Sequence, residues 1–256
     1  EFRRVLFRSI LIQSATNMVN DYSDFKSGAD DKKSGNEKAL VNGEITSRQV
    51  LVVILLFVLI ACVIGIFIAS QTSYYIMLIA IIGGIISISY AFGPFPISYT
   101  PFGEVVAGIT MGIGITTTVI YIQSGVINLN TVLVAIPTVI YISTILLSNN
   151  VSDLQEDRDV GRKTLPILIG VKNAEKLWIF NVIMLLILTF ILYVVHIYPI
   201  IVLLAVLIFF PYKSIFDFIS YDKNMNTKGR TMGLISKIGL KYHLAVVVGL
   251  LIAIML

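Results

Sequence analysis

Residues 50–68 read VLVVILLFVLIACVIGIFI, a run that contains no charged side chain. About 20 predominantly apolar residues are needed to span the hydrocarbon core of a bilayer, with a range of about 17 to 25. The length and composition of this run therefore predict a transmembrane helix.

Six more apolar runs follow along the chain, at residues 74–90, 105–122, 131–147, 177–195, 200–210 and 242–256. The run at 200–210 is bounded by Pro199 and Pro211, and the last run is close to the minimum length of a span. Only 13% of the residues are charged, whereas about a quarter are charged in soluble domains. We predict an all-α fold, a multi-pass transmembrane helical bundle with seven spans in this chain.

Beyond residue 9, the Lys and Arg residues fall in three segments, at 26–48, 158–176 and 213–241. The connectors near Ser70, Gln123 and His196 carry no Lys or Arg, and the two kinds of connector alternate as seven spans require. Cytoplasmic loops are enriched in Lys and Arg, so we expect the basic segments to face the cytoplasm, with the chain in the cell's inner (plasma) membrane. The connector at 91–103 lies on the same side by parity. This distribution argues against a nucleic-acid partner despite the net charge of +4.

Residues 1–9 read EFRRVLFRS and are basic. The nonapeptide is the translation of GAG TTC AGA CGT GTG CTC TTC CGA TCT, the end of a common sequencing adapter. We hypothesise that residues 1–9 are a non-native leader and that residues 10–256 form a single, N-terminally truncated transmembrane domain. Source DNA that lacks these codons would contradict the hypothesis.

The first acidic cluster, NMVNDYSD at residues 17–24, follows a short apolar segment. On a helix, Asn17, Asp21 and Asp24 are spaced i, i+4 and i+7, which places them on one face. The spacing is not expected of an ordinary solvated loop, so it indicates a site.

The second acidic cluster, NNVSDLQED at residues 149–157, follows an apolar run. Here Asn149, Asp153 and Asp157 are spaced i, i+4 and i+8, again on one helix face. Four predicted spans separate the two clusters, so both are expected on the same side of the membrane.

Carboxylates aligned at a helix end repel each other unless a cation lies between them. Mg²⁺ prefers oxygen ligands and is usually held by one or two carboxylates together with phosphate oxygens of a substrate. Two facing clusters would therefore bind a metal diphosphate. The candidate ligands are Asp21, Asp24, Asp153 and Asp157, with Asp30 as an additional one.

Polar and basic side chains beside the two clusters are candidates for binding the substrate. Cationic side chains can neutralise phosphate oxygens through charge-assisted hydrogen bonds. The candidates are Asn17, Asn20 and Lys26 at the first cluster, and Asn149, Asn150, Arg162 and Lys163 at the second.

A third polar stretch, at residues 90–104, contains Tyr90, Tyr99 and Glu104. Glu104 opens an apolar run, and an ionisable group inside a membrane segment indicates a functional site. The alternative is a helix N-terminal acid that the helix dipole favours. We treat Glu104 and Tyr90 as candidate catalytic residues and Tyr99 as a candidate substrate contact.

The paired motifs resemble those of the UbiA superfamily of membrane aromatic prenyltransferases. That family carries an Asn-Asp-x-x-Asp motif after its second helix and an Asp-x-x-x-Asp motif after its sixth. Here they read NDYSD at 20–24 and DLQED at 153–157. The resemblance covers nearly all of residues 10–256. It is closest to the 1,4-dihydroxy-2-naphthoate polyprenyltransferase branch, through residues 90–104 and 149–165 and through Asp30.

The resemblance implies a bundle of about nine helices, of which the first and most of the second are missing here. It implies an enzyme that transfers a polyprenyl group from an allylic polyprenyl diphosphate to dihydroxynaphthoate within the lipid bilayer, with loss of CO₂, giving demethylmenaquinone. The implied cofactor is Mg²⁺ on the four motif aspartates. A ring face of Tyr90 or Tyr99 would stabilise the allylic carbocation, and Glu104 would orient the acceptor or take a proton.

Two positions depart from the pattern of the branch. Ser152 stands where the branch has Arg, and Arg162 stands where it has Lys. The loss of one cation at Ser152 affects phosphate neutralisation, and Lys163 is the expected substitute.

Other functions share some of these features. Another UbiA-type enzyme would use 4-hydroxybenzoate or a different acceptor. A divalent-cation transporter also binds ions with acidic stripes, although transporter sites usually lie near the bilayer midplane on interrupted helices. A soluble all-helical prenyl synthase pairs Asp motifs as well, but the apolar runs exclude it.

Overall fold

The computed structural model describes residues 2–27, 39–71, 73–91 and 95–256, and every regular element in these ranges is helical. They fall into two compact units, Glu1–Ala80 and Ile81–Leu256.

The first unit consists of α1 (Phe2–Ser27), the short α2 (Ala39–Asn42), α3 (Ser47–Gln71) and the start of α4 (Tyr74–Ala91). Arg8 of α1 donates from Nε to the carbonyl oxygen of Ala61 on α3, at 3.2 Å. The Leu55, Leu59 and Val63 side chains of α3 are more than half exposed. In a membrane, such an apolar surface faces lipid rather than water.

The second unit contains the remaining helices in chain order. They are the 3₁₀ turn Ile97–Tyr99, α5 (Gly103–Ala107), a π-helix (Gly108–Ile115), α6 (Thr116–Ser124), α7 (Leu129–Leu133), α8 (Ile136–Ser152), α9 (Leu154–Asp159), α10 (Leu165–Ile169), α11 (Val171–Val194), α12 (Ile200–Phe209), α13 (Lys213–Ile219), the 3₁₀ turn Met225–Thr227 and α14 (Lys228–Met255).

Helix α8 lies at the centre of this unit, between α11, α14 and the α5–π-helix segment. The core beside it is built on Trp178, whose ring stacks on Phe218 at a centroid distance of 3.8 Å. Trp178 is fully buried, and its Nε1 donates to Ser148 Oγ of α8 at 2.8 Å. This bond satisfies the polar end of the indole within an apolar core, and it fixes α8 against α11.

Two glycines of the π-helix segment allow it to lie directly against α8. A Cβ at Gly108 would collide with Ser143 Oγ, and a Cβ at Gly112 would lie 2.6–2.7 Å from backbone and side-chain atoms of Val139. Small residues let helix backbones approach closely in membrane proteins. The close approach brings the start of α5 beside the C-terminal half of α8.

Within the described residues, five helical stretches are long and apolar enough to cross a membrane, which makes this a multi-pass membrane protein. They are Ser47–Gln71, Gly103–Ser124, Leu129–Ser152, Val171–Val194 and Met225–Met255. A sixth crossing is available if α12 and α13, which meet at a 45° bend, form one broken span. The apolar run at 74–90, which the sequence predicts to be a span, lies in α4. Its segment Tyr74–Tyr90 belongs to the shorter apolar helices and not to these five stretches.

The last span begins earlier than predicted. The sequence analysis started it at Tyr242, whereas α14 runs from Lys228 to Met255. Lys237 and Lys241 interrupt the apolar pattern in its first half. Long basic side chains tolerate such positions because their charged ends reach the interface.

Contacts between connectors fix how many crossings separate them. Lys228 at the start of α14 contacts Asp153 at the end of α8, so an even number of crossings must lie between these residues. Helix α11 supplies one, and the bent α12–α13 pair therefore supplies the other. The Lys163 amide likewise donates to the Tyr99 carbonyl oxygen at 2.9 Å, which places the connectors before α5 and after α9 on the same side.

The close packing at Gly112 gives a test of this helix arrangement. We expect Gly112→Ala to lower stability by about 1–3 kcal/mol, the usual cost of overpacking, because the new methyl meets the Val139 backbone. Gly114→Ala is the matched control, since a Cβ at Gly114 would meet nothing within 4 Å. Thermal unfolding in detergent should show a lower midpoint for the Gly112 variant alone, and equal midpoints would contradict the packing.

Candidate active site

The second acidic cluster spans the junction between α8 and α9. Asp153 donates its amide to the Asn149 carbonyl oxygen at 3.0 Å, and Asp157 donates its amide to the Asp153 carbonyl oxygen at 2.8 Å. Asp153 itself has φ −94° and ψ 13°, which ends α8 and starts α9. The predicted helical spacing therefore persists across a break at Asp153, rather than along one uninterrupted helix.

One oxygen of the Asp153 carboxylate is strongly bound, and the other is not. Its Oδ2 accepts hydrogen bonds from Asn149 Nδ2 at 2.9 Å and from Lys228 Nζ at 2.6 Å. Its Oδ1 is buried and has no hydrogen-bond partner among the described residues. A buried carboxylate oxygen without a partner carries a desolvation cost of about 1–3 kcal/mol or more, which a bound cation would offset.

Asp157 repeats this pattern with a different cation. Its Oδ1 accepts from Arg162 Nη1 at 2.8 Å, while the side chain is only 5% exposed. Its Oδ2 is buried and lacks a partner within the described part of the chain. Burial raises the pKa of the Asp157 carboxyl, and the charge and hydrogen bond of Arg162 oppose that rise.

Arg162 joins the second cluster to the turn before α5. Its guanidinium lies over the Tyr99 ring, with Cζ 4.8 Å from the ring centroid. Gly161 precedes it with φ +78°, a conformation that glycine adopts without strain. This turn directs Arg162 back toward Asp157. The Lys163 amide donates to the Tyr99 carbonyl oxygen, and the Lys163 side chain is exposed.

Glu104 lies beside the same end of α8. It is 3% exposed, and its Oε1 accepts from Asn150 Nδ2 at 2.9 Å. Ser143 Oγ donates to its backbone carbonyl oxygen at 2.9 Å. Its Oε2 is buried without a partner among the residues described, which leaves one acceptor for a substrate donor.

Tyr90 is half-buried at the end of α4, and its hydroxyl lies close to Gly103. A Cβ at Gly103 would approach that hydroxyl to 3.4 Å. The phenol is within electrostatic range of Glu104 and Arg162. The second unit thus brings together Tyr90, Tyr99 and Glu104 with Asp157 and its cation.

The donor set fits a hard cation shared with a phosphate group. In the described ranges, no three acidic, His or Cys side chains converge into a complete metal site. Mg²⁺ does not require one, because it usually takes one or two carboxylates and completes its shell with water and substrate phosphates. The unpartnered Asp153 Oδ1 and Asp157 Oδ2 are the available oxygens.

The first acidic cluster lies on α1, whose register places positions 17, 21 and 24 on one face. Asn17 accepts from Gln13 Nε2 at 3.1 Å. Asp21 is exposed, and the Lys26 ammonium lies 5.9 Å from the centroid of the Tyr22 ring. The side chains of Asn20 and Asp24, and Asp30 as a whole, lie outside the described residues. Their predicted roles stay predictions.

Sequence reasoning missed Lys228. The sequence analysis used this residue only as one of many basic residues that set topology, and it assigned Lys163 as the substitute for the missing Arg at Ser152. In the structure Lys228 is the cation on Asp153. The two residues are 75 positions apart, and no spacing rule connects residues at that separation.

The comparisons with known proteins agree with the geometry of the site. The UbiA prenyltransferase family matches residues 2–237. A 1,4-dihydroxy-2-naphthoate octaprenyltransferase of Bacillus subtilis (strain 168) is 41% identical over 177 residues, which is 69% of this chain and 57% of that protein. The Gallus gallus UbiA prenyltransferase domain-containing protein 1 is 31% identical over 163 residues, or 63% of this chain and 49% of that protein.

A second 1,4-dihydroxy-2-naphthoate octaprenyltransferase, from Haemophilus influenzae (strain ATCC 51907 / DSM 11121 / KW20 / Rd), is 26% identical over 172 residues, or 64% of this chain and 56% of that protein. The chain spans about half the length of the curated relatives that it matches. A solved structure from work on digeranylgeranylglyceryl phosphate synthase in membranes covers 96% of this chain and 84% of its own, with a TM-score of 0.62 and 20% identity. That likeness concerns the fold.

The Asp157–Arg162 pair gives a pH-dependent prediction. We expect Arg162→Met to lower stability by about 1–3 kcal/mol at pH 8, the usual range for a lost hydrogen bond to a charged group. Arg162 is 35% exposed, so the full cost of breaking a buried pair is not expected. Acidification should shrink the loss, because protonated Asp157 no longer needs a cation.

The measurement is the thermal unfolding midpoint in detergent with a chelator, at pH 8 and pH 5. Arg158→Met is the matched control, since Arg158 is an exposed residue of α9. A loss of equal size at both pH values would contradict the role of the Asp157 charge.

Proposed function

Because the chain belongs to the UbiA prenyltransferase family, we propose that it transfers a polyprenyl group from an allylic polyprenyl diphosphate to 1,4-dihydroxy-2-naphthoate. The acceptor loses CO₂, and the product is demethylmenaquinone in its reduced, quinol form. The 41% identity with a 1,4-dihydroxy-2-naphthoate octaprenyltransferase supports the choice of acceptor.

One observation carries the proposal. Asp153 lies at the junction of α8 and α9 and Asp157 lies on α9. Each has one oxygen on a cationic side chain and the other buried without a partner among the described residues. The carboxylates suit a cationic ligand group, and the two adjacent cationic side chains suit an anionic one. A metal diphosphate has this character.

UbiA prenyltransferases are generally Mg²⁺-dependent, and the open oxygens of Asp153 and Asp157 fit this ion. We propose that Asp21 and Asp24, and Asp30 as a further ligand, complete the set from the first cluster. Bound Mg²⁺ supplies Lewis-acid stabilisation of the leaving diphosphate.

The residues of the site assist the ionisation of the donor. The allylic C–O bond breaks, the diphosphate leaves with the electron pair, and a carbocation remains. Arg162 is placed to neutralise phosphate oxygens, with Lys163 and Lys26 as further proposed contacts. Asn17, Asn20, Asn149 and Asn150 orient the carboxylates and the substrate through their amides.

The carbocation needs electron-rich groups and exclusion of water. Aromatic ring faces stabilise cations, but Arg162 already covers a face of Tyr99. Tyr90 is therefore the better candidate for the carbocation, and Tyr99 for positioning Arg162.

The acceptor would be oriented by Glu104. The unpartnered Oε2 of Glu104 can accept a hydrogen bond from a ring hydroxyl, which raises electron density in the ring. A ring carbon forms the new C–C bond to the allylic carbon, and the carboxylate leaves as CO₂. Asn150 holds Glu104 in place through Oε1.

The isoprenoid chain suits the surroundings of this site. Its tail would lie along apolar helix surfaces in the lipid bilayer, where exposed apolar side chains are abundant on the membrane helices. We propose that the site opens to the cytoplasm from the plasma membrane, because Arg162 and Lys228 lie in two of the basic segments and such segments are typical of cytoplasmic loops.

Two alternatives are weighed against this proposal. Another aromatic acceptor, such as 4-hydroxybenzoate, would keep the mechanism and change the pocket around Glu104. The divalent-cation transporter receives no support from the comparisons. Its sites are usually near the membrane midplane, whereas these carboxylates lie at the α8–α9 junction and on α9, beyond the span Leu129–Ser152.

The test is prenyl transfer in membranes that contain the full-length protein. Labelled polyprenyl diphosphate is supplied with dihydroxynaphthoate or 4-hydroxybenzoate, with and without Mg²⁺. We expect metal-dependent product with the naphthoate, and a loss of at least about 100-fold for Asp153→Asn or Asp157→Asn, as for other electrostatic stabilisers of developing charge.

The matched control is Asp159→Asn, because Asp159 is exposed and bonds only Gln155 within the described residues. Product with the benzoate instead would overturn the acceptor. An absence of metal-dependent transfer to either compound would contradict the proposed function.

A further inference from the structure

Lys228 occupies a position that opposes its own charge. It is the first residue of α14, a helix of 28 residues. The helix dipole makes this end positive, so a cation here is unfavourable. A specific anionic partner must therefore compensate for this position.

The turn before α14 holds Lys228 in place. Asn224 and Thr227 form a reciprocal capping box, with Asn224 Oδ1 accepting from the Thr227 amide at 3.2 Å. Thr227 Oγ1 also donates to the Asp222 carbonyl oxygen at 2.8 Å. The backbone at residues 222–228 is thus fixed, and Lys228 reaches Asp153 from a rigid base.

We propose that Lys228 is an exchangeable counter-ion, which holds Asp153 when the site is empty and moves to the substrate diphosphate when metal binds Asp153. This inference rests on the proposed function of the site as a diphosphate site. It assigns a binding role to a residue outside both acidic motifs.

The charges around Asp153 and Asp157 are the reason for the exchange. Lys228 pairs with Asp153 and Arg162 pairs with Asp157, so the two carboxylates are already neutralised. A divalent cation that arrives alone meets two positive side chains at short range, where Coulomb repulsion is strong in a partly buried site. Metal alone should therefore bind weakly.

A diphosphate removes this conflict. Its oxygens accept the Lys228 ammonium, which frees Asp153 Oδ2 while Oδ1 is already without a partner among the described residues. Metal and diphosphate then strengthen each other's binding, and linkage requires the strengthening to be reciprocal. The pair is moderately exposed, with 33% of Lys228 and 14% of Asp153 accessible, so the ammonium can move.

Ser152, the residue before Asp153, cannot take the place of Lys228. The Ser152 hydroxyl donates to the Ser148 carbonyl oxygen at 2.9 Å and is buried. It therefore supplies no charge beside Asp153. Lys228 delivers the charge from α14 instead, at Asp153 Oδ2.

A purely structural Lys228 and an exchangeable one predict opposite effects on metal binding. We would purify the full-length protein in detergent without substrate and titrate Mn²⁺ alone, by the electron paramagnetic resonance signal of free Mn²⁺. We would then measure binding of inorganic pyrophosphate at saturating Mn²⁺. The variants are Lys228→Met and Lys228→Arg, with Lys237→Met as the matched control on an exposed face of α14.

We expect Lys228→Met to tighten Mn²⁺ binding about fivefold or more and to weaken pyrophosphate binding by a similar factor, the lower end of usual coupling factors. Lys228→Arg keeps the positive charge, so it should keep the weak Mn²⁺ binding and the tight pyrophosphate binding of the wild-type protein. Lys237→Met should change neither affinity. Weaker binding of both ligands to Lys228→Met, or no change in either, would overturn the proposal.

A readout on the wild-type protein does not depend on any variant folding. Acetylation of Lys228 by acetic anhydride, followed by peptide mass spectrometry, should speed up with Mn²⁺ alone and slow down with Mn²⁺ plus pyrophosphate. Lys237 should be acetylated at one rate throughout. An acetylation rate of Lys228 that changes with neither ligand would overturn the exchange. Failure of prenyl transfer while these rate changes are observed would overturn only the proposed function.

Discussion

The structure depends on how two carboxylates are paired with cations where a membrane helix ends. Asp153 and Asp157 lie where α8 leaves the apolar core, and each is held by one cation, Lys228 or Arg162. Burying a charge without a partner is costly, so the connectors that carry these cations must meet at α8. That requirement brings the start of α14 and the loop after α9 to the same side, and it fixes the bent α12–α13 pair as a single crossing.

Close helix packing accounts for the position of Glu104. Glu104 can lie beside Asn150 because Gly108 and Gly112 let the π-helix segment lie against α8. The Trp178–Ser148 bond then fixes α8 from its other side. The catalytic geometry that we propose is thus a consequence of packing around one helix. Glu104, like the two aspartates, keeps one buried oxygen without a partner among the described residues.

The membrane helices could be predicted from the sequence because length and apolar composition alone are decisive in a bilayer. The start of α14 could not be predicted in this way, because Lys237 and Lys241 interrupt the apolar pattern in the first half of the helix. The spacing of Asn149, Asp153 and Asp157 predicted their common face but not the break at Asp153. The Lys228–Asp153 pair joins residues that are distant in sequence, and only the packing of α14 on α8 reveals it.

The most direct measurement is a structure of the full-length protein with Mg²⁺ and a geranyl thiodiphosphate, which resists ionisation. We expect metal density beside Asp153 Oδ1 and Asp157 Oδ2, with the Lys228 ammonium on a phosphate oxygen rather than on Asp153. A structure in which the thiodiphosphate binds away from α8, or in which Lys228 stays on Asp153 while metal and diphosphate are bound, would contradict this expectation.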